Sequence, residues 1–453
     1  MQELPLNGFY AGEGKKLTDR RCINWIPTPN DAGSLAPMSL MPTSGAEDYG
    51  IISVSGLPAL IDVTAIDSQV FTFNSVALGQ VAAFVVVDKV FFVNGFGTLI
   101  TQDYPNAAGY PLPIRAHMAR MATDGINCVI CSPSNALNNS RDRLVYFDGS
   151  LGAGTGIDTA TIFGTTDAAI TDLTYIGGRY LYLSTTQAVT GFNRVFYSAI
   201  GGIAPSALDF FAPDSLNSQL VGMETLNDRL YLFAENRSYI YSLTASTDLP
   251  FQESGEMEFG LFSSFTKCQY GSGIAGLFRD SSGALFVGMV SGGGVQKIST
   301  RAIDQSIYST VQDDFFQYSR FLRMFSFMDN GRSMLCVTGP EFTYVYEGAT
   351  GIWHERTSLD VPENKSPYSD ERLNWQYVGG LNFNGELGSS SYLIGDTLRT
   401  QAAANTYRLA ISRQDPDIGT ENGELVERTM ISAPFNDKNQ RMMVDEIQPQ
   451  CEV

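Results

Sequence analysis

With 453 residues the chain exceeds what one ordinary hydrophobic core holds, so it forms either several domains or one closed repeat architecture. Only 17% of its residues are charged and its net charge is −19, which excludes a broad basic surface that grips nucleic acid by neutralising phosphates. Much of the polar surface must then be Ser, Thr, Asn, Gln and Gly, a β-rich composition. The longest apolar runs, such as residues 81–87, fall well short of the roughly 18 residues that would span a bilayer, and MQELPLNGFY lacks a charged and then apolar leader pattern. These features predict a soluble, cytosolically made protein without membrane insertion.

Residues 1–50 are rich in Pro, Gly and polar side chains, have little periodicity, and hold the basic cluster Lys15, Lys16, Arg20 and Arg21. They read as an extended N-terminal arm. Trp25 and Ile26, beside Pro27, have little reason to stay in water, so the basic cluster and this pair are the candidate assembly residues, clamping a neighbouring acidic surface. From residue 51 onward, short runs of Val, Ile, Phe, Tyr and Thr are broken by Gly, Asn, Asp and Ser.

Seven turns each precede a strand with alternating aromatic or aliphatic residues: Asp88-Lys89, Asp124-Gly125, Gly177-Gly178, Asn227-Asp228, Ser282-Gly283, Asn330-Gly331 and Asn384-Gly385. From Gly125 on they recur at about 50 residues, the length of one four-stranded propeller blade whose faces are buried only by stacking on neighbours. The expected fold is all-β: a propeller of six or seven blades over residues 51–400, an N-terminal arm over 1–50 and a small C-terminal β extension over 401–453. The seven turns are expected at equivalent places in successive blades. One helix, from Arg301 to Thr310 or as far as Arg323, is expected as an insertion.

The sequence offers little chemistry. His117 and His354 are the two histidines, too few for a multi-His metal site. Among six cysteines the single Cys-x-x-Cys, Cys128 and Cys131, lies in an apolar strand where residues three apart face opposite ways. Reduced, buried thiols are expected. Neither a nucleophile elbow nor a phosphate-binding loop is present, and Gly292-Gly293-Gly294 reads as a hairpin turn. No cofactor, no metal and no catalytic centre are expected. The enzymatic rival is a propeller glycosidase built on some of the 48 acidic residues, with a sugar-binding propeller beside it. Against both, the Ser-x-Asp-x-Gly-x-Thr-Trp turn of sialidase propellers is absent, and only Trp25, Trp353 and Trp375 are available to stack on sugars.

Three stretches carry a resemblance: LPLNGFYAGEGKKLTDRRCINWIPTPND near the start, LNDRLYLFAENRSYIYSLTAS followed by EFGLFSSFTKCQYG in the middle, and DNGRSMLCVTGPEFTYVYEGATGIWHERTS. In that order they resemble the packaged-DNA stabilisation proteins, the tail hub or nozzle, of P22-like short-tailed phages. The resemblance implies a non-enzymatic virion protein, a homo-hexamer below the adaptor ring of the portal, with spikes or fibres around it and a needle or plug at its tip. It further implies assembly in the host cytoplasm, and DNA that passes through the lumen without sequence-specific binding. A fibre or receptor-binding β-protein is the alternative virion role. The chain stops at CEV, where members of that family continue into further β-structure, so either its tail region is short or the sequence is incomplete.

Overall fold

A computed structural model describes residues 21–30, 38–55, 70–86, 89–94, 99–103, 119–132, 143–157, 170–184, 193–213, 218–246, 249–291, 294–313, 322–339, 342–358, 375–378, 392–396, 406–421 and 424–431. The chain folds as a six-bladed β-propeller. Blade 1 spans Phe71–Ser75 to Leu99–Asp103, blade 2 Arg120–Thr123 to Thr155–Ile157, and blade 3 Ile170–Ile176 to Pro205–Phe211. Blade 4 spans Leu220–Leu226 to Phe251–Met257, blade 5 Gly260–Leu261 to Gly294–Lys297, and blade 6 Arg323–Asp329 to Ile352–Glu355. Each is an antiparallel meander, and the first strands of neighbouring blades converge. In blade 5 that first strand is split into Gly260–Leu261 and Lys267–Tyr270, both paired with Gly273–Arg279.

Blade faces are dry on both sides, which is why the second strands read as unbroken apolar runs. In RYLYLS, Leu181 and Leu183 face blade 4, while Tyr180 and Tyr182 face blade 2. In RLYLFA, Leu230, Leu232 and Ala234 face blade 3, and Tyr231 and Phe233 face blade 5. The period of two thus assigns alternate residues to alternate inter-blade cores. Cys128 packs toward blade 1 and Cys131 toward blade 3, opposite faces as expected, and both are buried free thiols. Burial pushes the Cys128 thiol well above its usual range.

Turn chemistry explains the repeat. Gly177-Gly178, Asn227-Asp228 and Asn330-Gly331 each close a two-residue hairpin, and all six residues have positive φ. That is the type I′ turn, whose twist matches the strands and which selects Asn, Asp and Gly. Arg179, Arg229 and Arg332 therefore occupy one equivalent position, the start of the second strand in blades 3, 4 and 6. Asp124-Gly125 marks the same hairpin of blade 2. Two turns depart from the expectation: Lys89 and Ser282-Gly283 lie at the second hairpins of blades 1 and 5. Aromatic-rich strands follow both hairpins of a blade, so the sequence pattern fits either. Asn384-Gly385 and Asp88 lie outside the described residues. The helix, Arg301–Asp313, buries Ile303, Ile307 and Val311 against blades 5 and 6.

Segments from the two ends of the described chain meet beside blade 6. Arg21–Ile23 joins that blade in parallel, Ile23 pairing with Glu355, and Thr429–Ile431 pairs on its other side. Gly45–Ser55 pairs with Thr406–Asp415 in a separate four-stranded sheet with Trp375–Val378 and Tyr392–Asp396. Residues 21–30 and 38–50, expected as extended arm, thus supply strands to three sheets.

Candidate functional site

Six first strands converging on an axis bring together side chains that have no apolar neighbour blade to face. Around that axis lies a cavity of about 490 Å³ lined by Phe71 and Thr72 of blade 1, Arg120 of blade 2, Glu224 of blade 4, Phe265, Lys267 and Gln269 of blade 5, and Arg323 of blade 6. Asp172 of blade 3, fully buried, is the hub of its charge network. Arg120 Nε donates to one carboxylate oxygen at 3.0 Å, and Lys267 Nζ stands 3.1 Å from the other. The backbone N–H groups of Leu173 and Met223 donate to the same carboxylate. Lys267 also reaches Glu224 at 3.2 Å, so blades 2, 3, 4 and 5 are tied through one carboxylate and one ammonium.

Local backbone irregularities aim these groups. The ladders of blades 3 and 4 slip register at Ile170/Asp172 and at Leu220/Gly222, equivalent places that turn a residue toward the axis. At the second place there is little room for a side chain: a Cβ on Gly222 would stand 3.1 Å from both Asp172 Oδ2 and Lys267 Cε, which would have to give way. Burial alone pushes the Asp172 carboxyl up, but Lys267 and Arg120 outweigh it and hold it below the usual carboxylate range. Two guanidinium groups approach the ring of Phe265, Arg120 at 5.4 Å and Arg323 at 5.8 Å from its centroid.

None of these residues was singled out in the sequence. The readable signal was Asp172 in ITDLTYI, a carboxylate inside an otherwise apolar strand, at the same offset before its turn as Gly222 in LVGMETL. Among the described residues no group of three or more His, Cys, Asp and Glu could hold a metal ion.

Of the expected assembly residues, Arg21, Trp25 and Ile26 are among the described ones. Lys15, Lys16 and Arg20 lie outside the described residues, and Arg21 pairs with Ile431. Ile26 is buried in the chain's own core with Ala46, Phe327, Met334, Cys336 and Val345, and the Arg428 guanidinium lies 5.9 Å from the Trp25 ring centroid. Both side chains are thus engaged within the chain.

Asn24, in a left-handed conformation, clasps the same region: its amide donates to Glu427 O and Thr357 Oγ1 and accepts from Thr357 N. Nearby, Arg356 donates to Asp329 at 2.8 Å and to the carbonyl of Ser44, while the Ser44 hydroxyl donates to Asp329. His117 and Gly292-Gly293 lie outside the described residues.

His354 is buried opposite Val345 on the face of that core, and neither ring nitrogen has a partner among the described residues. Burial, helped by the Arg356 charge, lowers its pKa from 6.5 to about 3. The unfolded chain therefore binds this proton first, and stability is lost as pH falls from about 6.5 toward 3. His354 should account for a loss of about 2 kcal/mol between pH 7 and pH 5. Urea denaturation of His354→Leu should show a correspondingly flatter pH dependence; an unchanged slope would show that the ring is charged or hydrated in the fold.

A family model described as Bacteriophage P22 Gp10, beta-propeller, matches residues 127–357, just over half of the chain. The chain belongs to this phage propeller family. The match runs from the first hairpin of blade 2 through the end of blade 6. No curated protein matches the chain. Among solved structures it is similar to streptogramin B lyase, with 8% identity, a TM-score of 0.43, and coverage of 81% of this chain and 98% of that one. The extracellular domain of a B. thetaiotaomicron one-component system matches with 10% identity and a TM-score of 0.42 over 77% of this chain. The match spans only 38% of that second structure's chain.

Proposed function

We propose that this phage propeller protein is a subunit of the tail hub or nozzle, a mechanical part of the virion that seals packaged DNA and forms its exit channel. Membership of the Gp10 propeller family carries this reading. The propeller axis itself is no conduit for DNA, since its cavity of about 490 Å³ has the size of a small-ligand site and is crossed by buried ion pairs. In this reading DNA passes between copies, in the lumen of a homo-hexamer docked to the portal's adaptor, with spikes or fibres at its side and a needle or plug at its tip. A net charge of −19 suits such a wall, because like charge keeps a moving polyanion from sticking.

An assembled part also accounts for the exposed aliphatics. Val76, Ile126, Ile200, Leu243 and Leu249 stand exposed on hairpins of blades 1 to 4. First and third hairpins of a meander lie at one end, so these residues share one face of the propeller. Gly149 adjoins both Val76 and Ile126, and Gly177-Gly178 adjoins Leu243 and Ile200.

Negative-stain microscopy of the protein mixed with its phage's portal and adaptor is expected to show a ring on the adaptor. Peripheral attachment would favour a fibre or receptor-binding role, and no attachment would overturn the hub reading. Assays against host lipopolysaccharide and capsule are expected to be blank; turnover lost on removing one carboxylate would establish a glycosidase instead. Deleting residues 1–20, with Lys15, Lys16 and Arg20, is expected to weaken docking while leaving the far-ultraviolet spectrum unchanged.

A further inference from the structure

We propose that the central cavity of the propeller is a binding site for a small oxyanion of the carboxylate or phosphate class, held by the guanidinium of Arg120 beside Phe265. The hub reading assigns no ligand to this cavity, and the proposal does not rest on it.

The first observation is an open fork. Arg120 has only 7% of its side chain exposed and is tied down by one nitrogen, Nε, to Asp172 at 3.0 Å. Its two terminal nitrogens make no hydrogen bond among the described residues, yet the residue lines the cavity. A guanidinium carries five donors in a planar array suited to two oxygens of one carboxylate or phosphate. Here the ion pair and the Phe265 ring fix its orientation, so little is lost on binding.

The second is the composition of the rest of the wall. Lys267 is already matched by Asp172 and Glu224, and Gln269 donates to Glu224 and to Thr225 O, so those groups are committed to the scaffold. Arg323, which also lines the cavity, brings a second guanidinium to within 5.8 Å of the same Phe265 ring centroid. The terminal nitrogens of Arg120 are not among the buried unpaired side-chain atoms, so they open onto the cavity, where an anion can reach them. The volume of about 490 Å³ suits a molecule of a few heavy atoms with water, well below a nucleic-acid segment or a peptide strand.

The ligand would touch blades 2, 5 and 6, so binding should be felt as added stability of the closed ring. Isothermal titration calorimetry of the full chain with citrate, and separately with inorganic phosphate, tests the site and distinguishes the two chemistries. One saturable site per chain is expected for at least one of them, weakened at least about tenfold in Arg120→Lys, which keeps the charge but not the fork. Arg120→Gln should abolish it; if that variant does not fold, Arg120→Lys and Arg323→Gln carry the test, the latter expected to weaken binding without removing it. No saturable heat with either anion at millimolar concentration would overturn the proposal. So would binding that is unchanged in Arg120→Lys, because the site would then lie elsewhere.

Discussion

Replacing Asp172 with alanine is expected to destabilise the propeller by about 3–5 kcal/mol, read by urea denaturation at pH 7. The carboxylate is fully buried and holds Arg120, Lys267 and two backbone N–H groups. Its loss leaves two cations buried in a low dielectric, among the described residues one without any other carboxylate and the other with Glu224 alone. Asp172→Asn keeps the shape and an acceptor but not the charge, and should fall between wild type and alanine. A cost below about 1 kcal/mol for the alanine variant would mean that the channel is hydrated well enough to screen the network.

The pH dependence follows from the same geometry. With a folded pKa held below the unfolded value near 3.9, Asp172 contributes stability that is fully present above that value and is lost as pH falls through the folded pKa. Its acid limb therefore lies below that of His354, whose contribution is already falling near pH 6. Below about pH 4 the Asp172 loss adds to that of His354 and steepens the profile, and Asp172→Asn should remove only this added steepness.

Arg356→Ala is expected to cost a similar amount, about 3–5 kcal/mol, and to loosen both chain ends at once. The guanidinium bridges Asp329 of blade 6 to the Ser44 carbonyl, and the next residue in the chain, Thr357, is the partner of Asn24. Its removal strands Asp329 with Ser44 alone, since the remaining partners are neutral. Limited proteolysis of the variant should cut within residues 21–30 or 38–46 under conditions where the wild type is not cut there. Because the Arg356 charge adds to burial in depressing His354, the loss owed to His354 should still begin near pH 6.5 in the same variant but end at a higher pH and be smaller. Wild-type stability and protease resistance would show that strand pairing at Ile23 and Cys22 holds the ends without the ion pair.

How much was legible in the sequence follows from the range of each interaction. A type I′ hairpin is decided by two adjacent residues, so Gly177-Gly178, Asn227-Asp228 and Asn330-Gly331 announced themselves and carried the repeat with them. The burial of both faces of a blade was likewise written in runs such as RYLYLS, and the opposite facing of Cys128 and Cys131 followed from the strand period. The phase of the repeat was less legible: the first and second hairpins of a blade use the same turn residues, so Ser282-Gly283 was placed one hairpin early.

The channel site was invisible for a different reason. Each blade contributes one or two polar residues to it, separated by about 50 residues, and a single Asp in a strand carries no sign of the Arg and Lys that face it. Ile26 shows the same limit. Its apolar character and its need for a pocket could be read from the sequence, but not whether that pocket belonged to a neighbour or to this chain. Local turn chemistry and the period of two thus determined an all-β repeat of blade length from sequence alone. Tertiary structure decided the number of blades, the convergence of Arg120, Asp172, Glu224 and Lys267 on one axis, and the pairing of Ile23 with Glu355. All three depend on closing a ring, which brings together residues far apart in the chain and which no local pattern encodes.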